Sequence, residues 1–181
     1  SPLDEENVAE NAYFNWLQQA TNYVYIATPD LVVDNEMITT LTLIAKSGVD
    51  VRIITPGIPD KWYVDWVTQS YYRVLLEAGV RIFEYTPGFI HAKMYVSDDK
   101  TAIVGSANMD YRSLYLHFEN CCAFYGGQMV QDVRADLEEC MSVSNEVFLE
   151  DTYKTPLPKR VAQLVLPLFA PLLSQGKKRG F

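Results

Sequence analysis

Two periods of hydrophobic spacing alternate along the first 85 residues of the chain. Segments with apolar residues three or four positions apart have the pattern of amphipathic helices, and the short apolar runs between them have that of buried strands. Helices are predicted over residues 7–20, 35–46 and 62–78, and strands over residues 23–27, 51–55 and 81–85. Because each helix connects two strands, we predict parallel pairing through right-handed crossovers. The pattern indicates an α/β fold, with a sheet flanked by helices on both faces.

After residue 85 the pattern predicts two strands in succession without a helix between them. An alternating run starts at His91, and a second short apolar run covers residues 101–104. The turn residues between these runs predict a β-hairpin centred on Asp99. In that register His91 and Lys93 share one face of their strand, and Lys93 lies opposite Gly105. The sheet is therefore predicted to be mixed.

Four side chains of this hairpin suit chemistry on a phosphodiester. The predicted register brings Ser106 and Asn108 beside His91. A neutral imidazole can attack phosphorus to form a phosphohistidine, the Lys93 ammonium can neutralise non-bridging oxygens, and the hydroxyl and amide groups can donate hydrogen bonds to them. These groups require no metal ion and no cofactor. Asp98 is separated from His91 by roughly 23 Å of strand, so we expect it to fix the turn rather than to orient the imidazole.

The acidic balance of the chain limits the class of substrate. Asp and Glu number 23 against 15 Lys and Arg, which gives a net charge of −8. Proteins that bind nucleic acids neutralise phosphates with Lys and Arg. A nucleic acid is therefore not the expected partner.

The three cysteines predict neither a disulfide framework nor a zinc site. Cys121 and Cys122 are adjacent in an apolar run and Cys140 stands alone, so no pair has the spacing of metal ligands. We expect buried, reduced thiols.

The run from His91 to Asn108 reads His-x-Lys-x4-Asp-x6-Gly-Ser-x-Asn. This pattern resembles the signature of the phospholipase D superfamily in every spacing. Four further stretches are similar to the C-terminal half of bacterial cardiolipin synthases, namely residues 48–56, 76–80, 87–93 and 106–113. The resemblance covers nearly the whole chain and fades after about Leu149.

The resemblance implies a role for each residue of the motif. His91 would be one of two active-site histidines, either the nucleophile or the general acid, while Lys93, Ser106 and Asn108 would bind the phosphoryl group. Glu119 fits the place of a family acid that hydrogen-bonds the histidine.

Enzymes of this superfamily use two such motifs, and this chain carries one. The remaining histidine, His117, has no lysine two residues further on, so we expect it to be an ordinary surface histidine. The second half of the site must then come from an N-terminal part of the same polypeptide or from another copy. The start at Ser1 without a methionine is typical of a fragment.

The resemblance predicts transfer of a phosphatidyl group between two phosphatidylglycerol molecules, giving cardiolipin and glycerol through a phosphohistidine. Two alternatives remain open at the level of the sequence. One is a phosphodiesterase that hydrolyses phospholipid or nucleic acid, and the other is a non-catalytic half that docks at membranes or dimerises.

Two regions bear on membrane contact. We divide the chain into a catalytic half-domain over residues 1–150 and a C-terminal apolar helix with a basic tail over residues 151–181. The apolar surface predicted over residues 157–173, followed by the basic residues 177–179, fits either an anionic membrane surface or the absent half. Packing is a sufficient explanation for most of the aromatic group around Trp62. The expected location is the bacterial inner membrane, with a peripheral catalytic domain and no transmembrane segment in this stretch.

Overall fold

The computed structural model describes residues 6–166 and shows alternating helices and strands. The helices are α1 Val8–Gln18, α2 Asn35–Lys46, α3 Trp62–Glu77, α4 Gln128–Ser142, α5 Leu149–Tyr153 and α6 Leu157–Val165, with a π-helix at Arg112–Leu116. The strands are β1 Tyr23–Ala27, β2 Leu31–Val32, β3 Asp50–Pro56, β4 Arg81–Tyr85, β5 Met94–Ser97, β6 Thr101–Gly105, β7 Met109–Asp110, β8 Cys121–Tyr125 and β9 Ser144–Val147.

Seven of these strands form one mixed sheet in the order β8-β6-β5-β1-β3-β4-β9. The strands β1, β3 and β4 are parallel, and the other pairs in the sheet are antiparallel. The parallel pairing of β1 with β3 and of β3 with β4, with a helix between the strands of each pair, is confirmed. The right-handed sense of these crossovers stays a prediction. The short strands β2 and β7 pair separately, in parallel.

Helices cover both faces of the sheet, as the sequence predicts. Every residue of the central strand β1 is buried, and successive residues point into different cores. Val24 and Ile26 pack with side chains of α1, α2 and α3, whereas Tyr25 packs with side chains of α4. The predicted α/β architecture with two helical layers is confirmed.

Local signals in the sequence set the ends of α2 and α3. The Asp34 side chain accepts a hydrogen bond from the Met37 amide at 2.8 Å, which caps the first turn of α2. Gly48 and Gly79 follow the two helices at φ of +100° and +96°, the left-handed conformation in which glycine has no Cβ penalty.

The hairpin of β5 and β6 has the predicted register. Met94 lies opposite Val104, Ser97 lies opposite Thr101, and the Gly105 amide donates to the Lys93 carbonyl at 3.2 Å. The strand begins at Met94 rather than at His91, so His91 and Lys93 stand in an extended segment just before β5.

Asp98 links this hairpin to the start of β1. Its carboxylate accepts hydrogen bonds from the amides of Thr21, Asn22 and Tyr23 at 2.8–2.9 Å and from the Thr21 hydroxyl at 2.8 Å. These donors hold the pKa of Asp98 below its usual value against the opposing effect of burial. The side chain thus joins two strands at the edge of the sheet remote from His91.

The prediction of buried thiols is wrong for Cys121 and Cys122, which are both exposed, while Cys140 is half-buried. The reason is the place of β8 in the sheet. It is an edge strand that pairs with β6, and four of its five residues are exposed. This apolar run of the sequence therefore forms an edge strand that the described residues leave exposed.

The helix α6 occupies part of the predicted C-terminal apolar segment and contacts α3. The Lys159 ammonium donates to the Gln69 side chain, and Leu166 packs against the small cluster of Val32 and Val67. The rest of that segment and the basic tail lie outside the described residues. Among the helices of residues 6–166, none has the length and apolar character needed to cross a bilayer.

Candidate active site

A cavity of about 330 Å³ opens where the strands of the parallel part of the sheet end. The carboxyl edge of such strands is where open α/β folds place their ligand sites. The lining comes from loops after β1, β3 and β6, from the segment before β5 and from the first turns of α3. Three residues predicted from the sequence belong to it, namely His91, Asn108 and Glu119.

His91 and Lys93 meet directly. The Lys93 ammonium lies 3.1 Å from each ring nitrogen of His91 and donates to the His91 carbonyl at 2.8 Å. Lys93 is only 8% exposed, and burial lowers its pKa, although Asp30, Glu119 and Asp110 act in the opposite direction.

Although His91 is exposed, partial loss of its hydration lowers its pKa, and the neighbouring Lys93 charge lowers the pKa further, against an opposing effect of Asp60. Both causes favour the neutral imidazole. The neutral form has a free nitrogen lone pair, so the arrangement provides a nucleophile next to a fixed cation.

Ser106 and Glu119 form a second contact at the mouth of the cavity. The Ser106 hydroxyl donates to a Glu119 carboxylate oxygen and accepts from the Asn120 amide at 2.9 Å. The structure thus places Glu119 against Ser106. Its predicted role as the residue that orients His91 stays a prediction.

Asn108 is held by two carboxylates that sequence reasoning missed. Its amide nitrogen donates to Asp30 and to Asp110, both at 3.0 Å, and its side-chain oxygen is buried without a hydrogen-bond partner among the described residues. Burial, helped by the charge of Asp110, raises the pKa of Asp30 to about 6. A signal for both acids exists in the sequence, since Asp30 lies three residues after the end of β1 and Asp110 ends the short strand after β6.

Hydrogen bonds to the core and to the end of β1 fix the backbone on both sides of Asn108. The Tyr95 hydroxyl, buried in the core, donates to the Ala107 carbonyl at 2.9 Å, and the Met109 amide donates to the Thr28 hydroxyl at 3.0 Å. These bonds tie the segment after β6 to the ends of β5 and β1. The amide of Asn108 is therefore positioned by three different elements.

His117 is exposed, as expected, and it also lines the cavity. The Arg112 guanidinium donates to its ring. His117 therefore has a partner of its own in this chain, and its position at the cavity was not predicted.

Aromatic and aliphatic side chains stand exposed beside the cavity. Ile58 and Trp62 flank the lining residues 59–61, and Phe89 is itself part of the lining. Their exposed fractions are 54%, 60% and 44%. The Trp62 ring contacts Trp66 with 4.8 Å between centroids, and the Phe89 ring lies 5.7 Å from that of His91. Trp62 is therefore packed on one side only.

The sequence is similar to curated bacterial proteins over nearly its whole length. It is 47% identical to an uncharacterized protein of Streptococcus mutans over 96% of this chain and 38% of that protein. It is 37% identical to a cardiolipin synthase of Clostridium perfringens over 95% of this chain and 36% of that enzyme. The chain thus spans little more than a third of the length of these curated relatives.

The fold matches that of a solved structure as well. Nuc from Salmonella typhimurium, a phospholipase D family member, superimposes with a TM-score of 0.68 over 77% of this chain and 91% of Nuc, at 15% identity. The family model described as "Cardiolipin synthase, PLD-like domain" matches residues 13–141, which contain six of the seven strands of the sheet, the cavity lining and the motif. The chain therefore belongs to the family of phospholipase D-like domains of cardiolipin synthases.

Proposed function

We propose that this chain is one half of a phosphatidyltransferase that moves a phosphatidyl group from one phosphatidylglycerol to a hydroxyl of another. The observation that carries the proposal is the contact between His91 and the buried Lys93 at the cavity. A neutral imidazole beside a fixed cation is the arrangement needed to attack a phosphodiester anion. The relatives named cardiolipin synthase support the same reaction.

The proposed transfer takes two steps. In the first, a histidine nitrogen attacks phosphorus, an N–P bond forms, and the P–O bond to glycerol breaks as the leaving oxygen takes a proton from the second histidine of the complete site. In the second, a hydroxyl of another phosphatidylglycerol attacks phosphorus and returns its proton to that second histidine while the N–P bond breaks. Cardiolipin and glycerol are the products, and both histidines return to their starting states.

His91 fills one of these two roles, and its lowered pKa favours that of the nucleophile. Lys93 would neutralise the non-bridging oxygens. Ser106, which is exposed at the cavity mouth, would donate its hydroxyl hydrogen to the same oxygens after exchanging its Glu119 partner for substrate. Asn108 would bind them only after release from one of its two carboxylates, because both amide hydrogens are already donated.

We propose that the second histidine comes from another half, either in the same polypeptide or in another copy. The chain has one His-x-Lys motif, and its other histidine, His117, interacts with Arg112. The length of the relatives leaves room for such a half. Phe118, three residues before the edge strand β8, and Tyr125, its last residue, are 71% and 82% exposed and fit a surface that a second half would cover.

The test uses the full-length protein with vesicles of phosphatidylglycerol, and measures cardiolipin and glycerol by mass spectrometry. His91→Ala should reduce cardiolipin formation at least a thousandfold, because it removes either the nucleophile or the acid. Lys93→Ala should reduce it strongly, whereas the matched variant Lys100→Ala, at a lysine that is 70% exposed in the hairpin turn, should leave it unchanged. Retained activity of His91→Ala would exclude the mechanism.

The products separate the alternatives. Phosphatidic acid in place of cardiolipin would indicate a hydrolase, and cleavage of plasmid DNA would indicate a nuclease. A phosphohistidine trapped on His91 with labelled substrate would assign the nucleophile to this half. Absence of any reaction in a folded full-length protein would favour a docking role.

We also propose that the apolar rim of Ile58, Trp62 and Phe89 contacts the lipid surface from which the substrate enters. Amphipathic aromatic rings favour the interface of a bilayer. Phe89 lines the cavity, and Ile58 and Trp62 are the neighbours in sequence of the lining residues 59–61. Vesicles should shift the tryptophan fluorescence of the chain to the blue, and Trp62→Ala should weaken binding several-fold. Phe148→Ala, at a residue 57% exposed beside β9, is the matched control. The same assay on a chain ending at residue 166 tests the predicted contribution of the basic tail.

A further inference from the structure

Three carboxyl groups converge between α1 and α2, outside the cavity lining. Glu10 belongs to α1, Asp34 caps α2, and Glu36 lies in the first turn of α2. One oxygen of each lies within 4.8 Å of the others. Clusters of acids are common at protein surfaces. The burial and the hydrogen-bond partners of each carboxyl group therefore decide whether this cluster can bind a positive group.

Glu10 is the unusual member, since it is only 2% exposed. Its Oε1 atom is buried and has no hydrogen-bond partner among the described residues. A buried carboxylate oxygen without a partner costs free energy, because its hydration is lost and not replaced. The cluster therefore has a deeply placed oxygen that calls for a positive or donating group.

The neighbours do not meet that need. Asp34 and Glu36 are both acids and both raise the pKa of Glu10, which burial takes to about 7. The Tyr115 hydroxyl, from the π-helix, acts in the opposite direction, but it donates its hydrogen to Asp34. When Glu10 is ionised, these two acids and the shared hydroxyl leave its buried oxygen without a compensating group among the described residues.

We propose that Glu10, Asp34 and Glu36 form a binding site for a divalent cation of the calcium type. Ca²⁺ takes six to eight oxygen ligands at about 2.3–2.6 Å in a flexible geometry, whereas Mg²⁺ demands a near-ideal octahedron at about 2.0–2.1 Å and gives up its water reluctantly. Three carboxylate oxygens within 4.8 Å of one another can bind to one such ion, and water would fill the remaining positions. The irregular, partly exposed set of ligands suits the more tolerant Ca²⁺.

The site joins segments that also carry the cavity. Asp34 follows the cavity residue Asp30 by four positions, and Tyr115 follows Asp110 by five. A bound cation would fix α1 to the start of α2. The expected role is structural, and it is independent of the proposed transferase activity.

The experiment titrates CaCl₂ and MgCl₂ separately into the chain after treatment with EDTA, at pH 8, by calorimetry and by thermal melting. We expect one Ca²⁺ per chain, with Mg²⁺ at least tenfold weaker. A Ca²⁺ concentration ten times the dissociation constant should raise the melting temperature by about 3–6 °C.

Substitutions identify the ligands. Glu10→Gln and Glu36→Gln should each weaken Ca²⁺ binding at least tenfold. Glu36 is exposed, so its variant tests the site without disturbing the core. Glu139→Gln, at an exposed acid on α4, should bind Ca²⁺ like the unmodified chain. The proposal fails if Ca²⁺ gives neither stoichiometric heat nor a shift in melting, or if the Glu36 and Glu139 variants respond alike.

Discussion

Replacing Asp98 by alanine tests whether the acid of the motif acts in the fold or in the chemistry. The Asp98 side chain is 1% exposed and accepts four hydrogen bonds from residues 21–23 at the start of β1. Asp98→Ala would leave three backbone amides without their acceptor. Hydrogen bonds to a charged group contribute about 1.5–3 kcal/mol each and do not add fully.

The burial of the three donor amides limits the loss of stability that we expect for Asp98→Ala. The Tyr23 amide lies in a buried environment, whereas the donors of Thr21 and Asn22 are partly exposed, so water can replace Asp98 there. We therefore expect a loss of about 3–4 kcal/mol, equivalent to about 6–16 °C in melting temperature for a chain of this size. Asp98→Asn keeps one acceptor oxygen and should lose about half as much.

The sign of the pH dependence follows from the same bonds. The pKa of Asp98 is lower in the folded chain than in the unfolded one, so its stabilisation is present above the unfolded value of about 3.9 and is lost as the pH falls through the lower folded value. Asp98→Ala should therefore remove the fall in the free energy of unfolding that protonation of Asp98 causes at low pH. Chemical denaturation between pH 2 and pH 7 measures it, with Asp136→Asn on the exposed face of α4 as the control.

Activity distinguishes the two roles of Asp98. In the full-length protein at a temperature where the variant is folded, kcat of Asp98→Ala should stay within about threefold of the unmodified enzyme, because the side chain lies at the far end of β5. A loss of more than a hundredfold in kcat with an unchanged melting temperature would refute a structural role.

Three further predictions address other parts of the chain. The raised pKa of Asp30 means that its ionisation costs stability as the pH rises from about 4 to about 6; Asp30→Asn should remove that slope in denaturation curves, and an unchanged slope would contradict the assignment. Gly105→Ala would place a Cβ 2.4 Å from the Asn120 carbonyl oxygen, so it should destabilise the chain by about 3 kcal/mol or more. A melting temperature within about 2 °C of that of the unmodified chain would instead show that β8 moves aside. Exposed Cys121 and Cys122 should react with a maleimide in the native chain much faster than Cys140, whose thiol pKa is raised by burial, and mass spectrometry of the labelled peptides would reveal equal rates if β8 were covered.

The sequence predicts those parts of the fold that have a period. The helices and strands up to β4 repeat an amphipathic or apolar pattern, and the hairpin has a turn centred on Asp99 that sets its register. The two-residue strands β2 and β7 are too short to show a period, and the π-helix is defined by its backbone bonds rather than by side-chain spacing.

The uncovered strand β8 shows a different limit. Its apolar run has the composition of a buried strand, but burial depends on what covers the sheet edge. The helices within residues 6–166 leave Cys121, Cys122 and Tyr125 exposed. A local pattern cannot tell whether the covering element belongs to the same chain.

The candidate site also contains residues that the sequence predicts and residues that it does not. His91 and Lys93 are two residues apart and were found from spacing, because the backbone alone places them together. Asp30 and Asn108 are 78 residues apart, and their contact depends on the pairing of separate elements. Asp30 and Asn108 lie together because the sheet topology brings their two segments to the same edge. The spacing of one motif carries no information about that topology.

The acids gathered around the motif also bear on the choice of substrate. The charged groups that line the cavity are mostly acidic, with two cations, Lys61 and Arg112, against Asp30, Asp60, Asp65, Asp110 and Glu119. The strand of a nucleic acid would bring several phosphates to this surface, and each would meet carboxylates where binding needs Lys and Arg. A phosphatidylglycerol brings one phosphodiester, which Lys93 can neutralise, and a glycerol whose hydroxyls can donate to the acids. The charge of the cavity therefore supports a lipid phosphodiester over a polyanion, for a reason independent of the net charge of the chain.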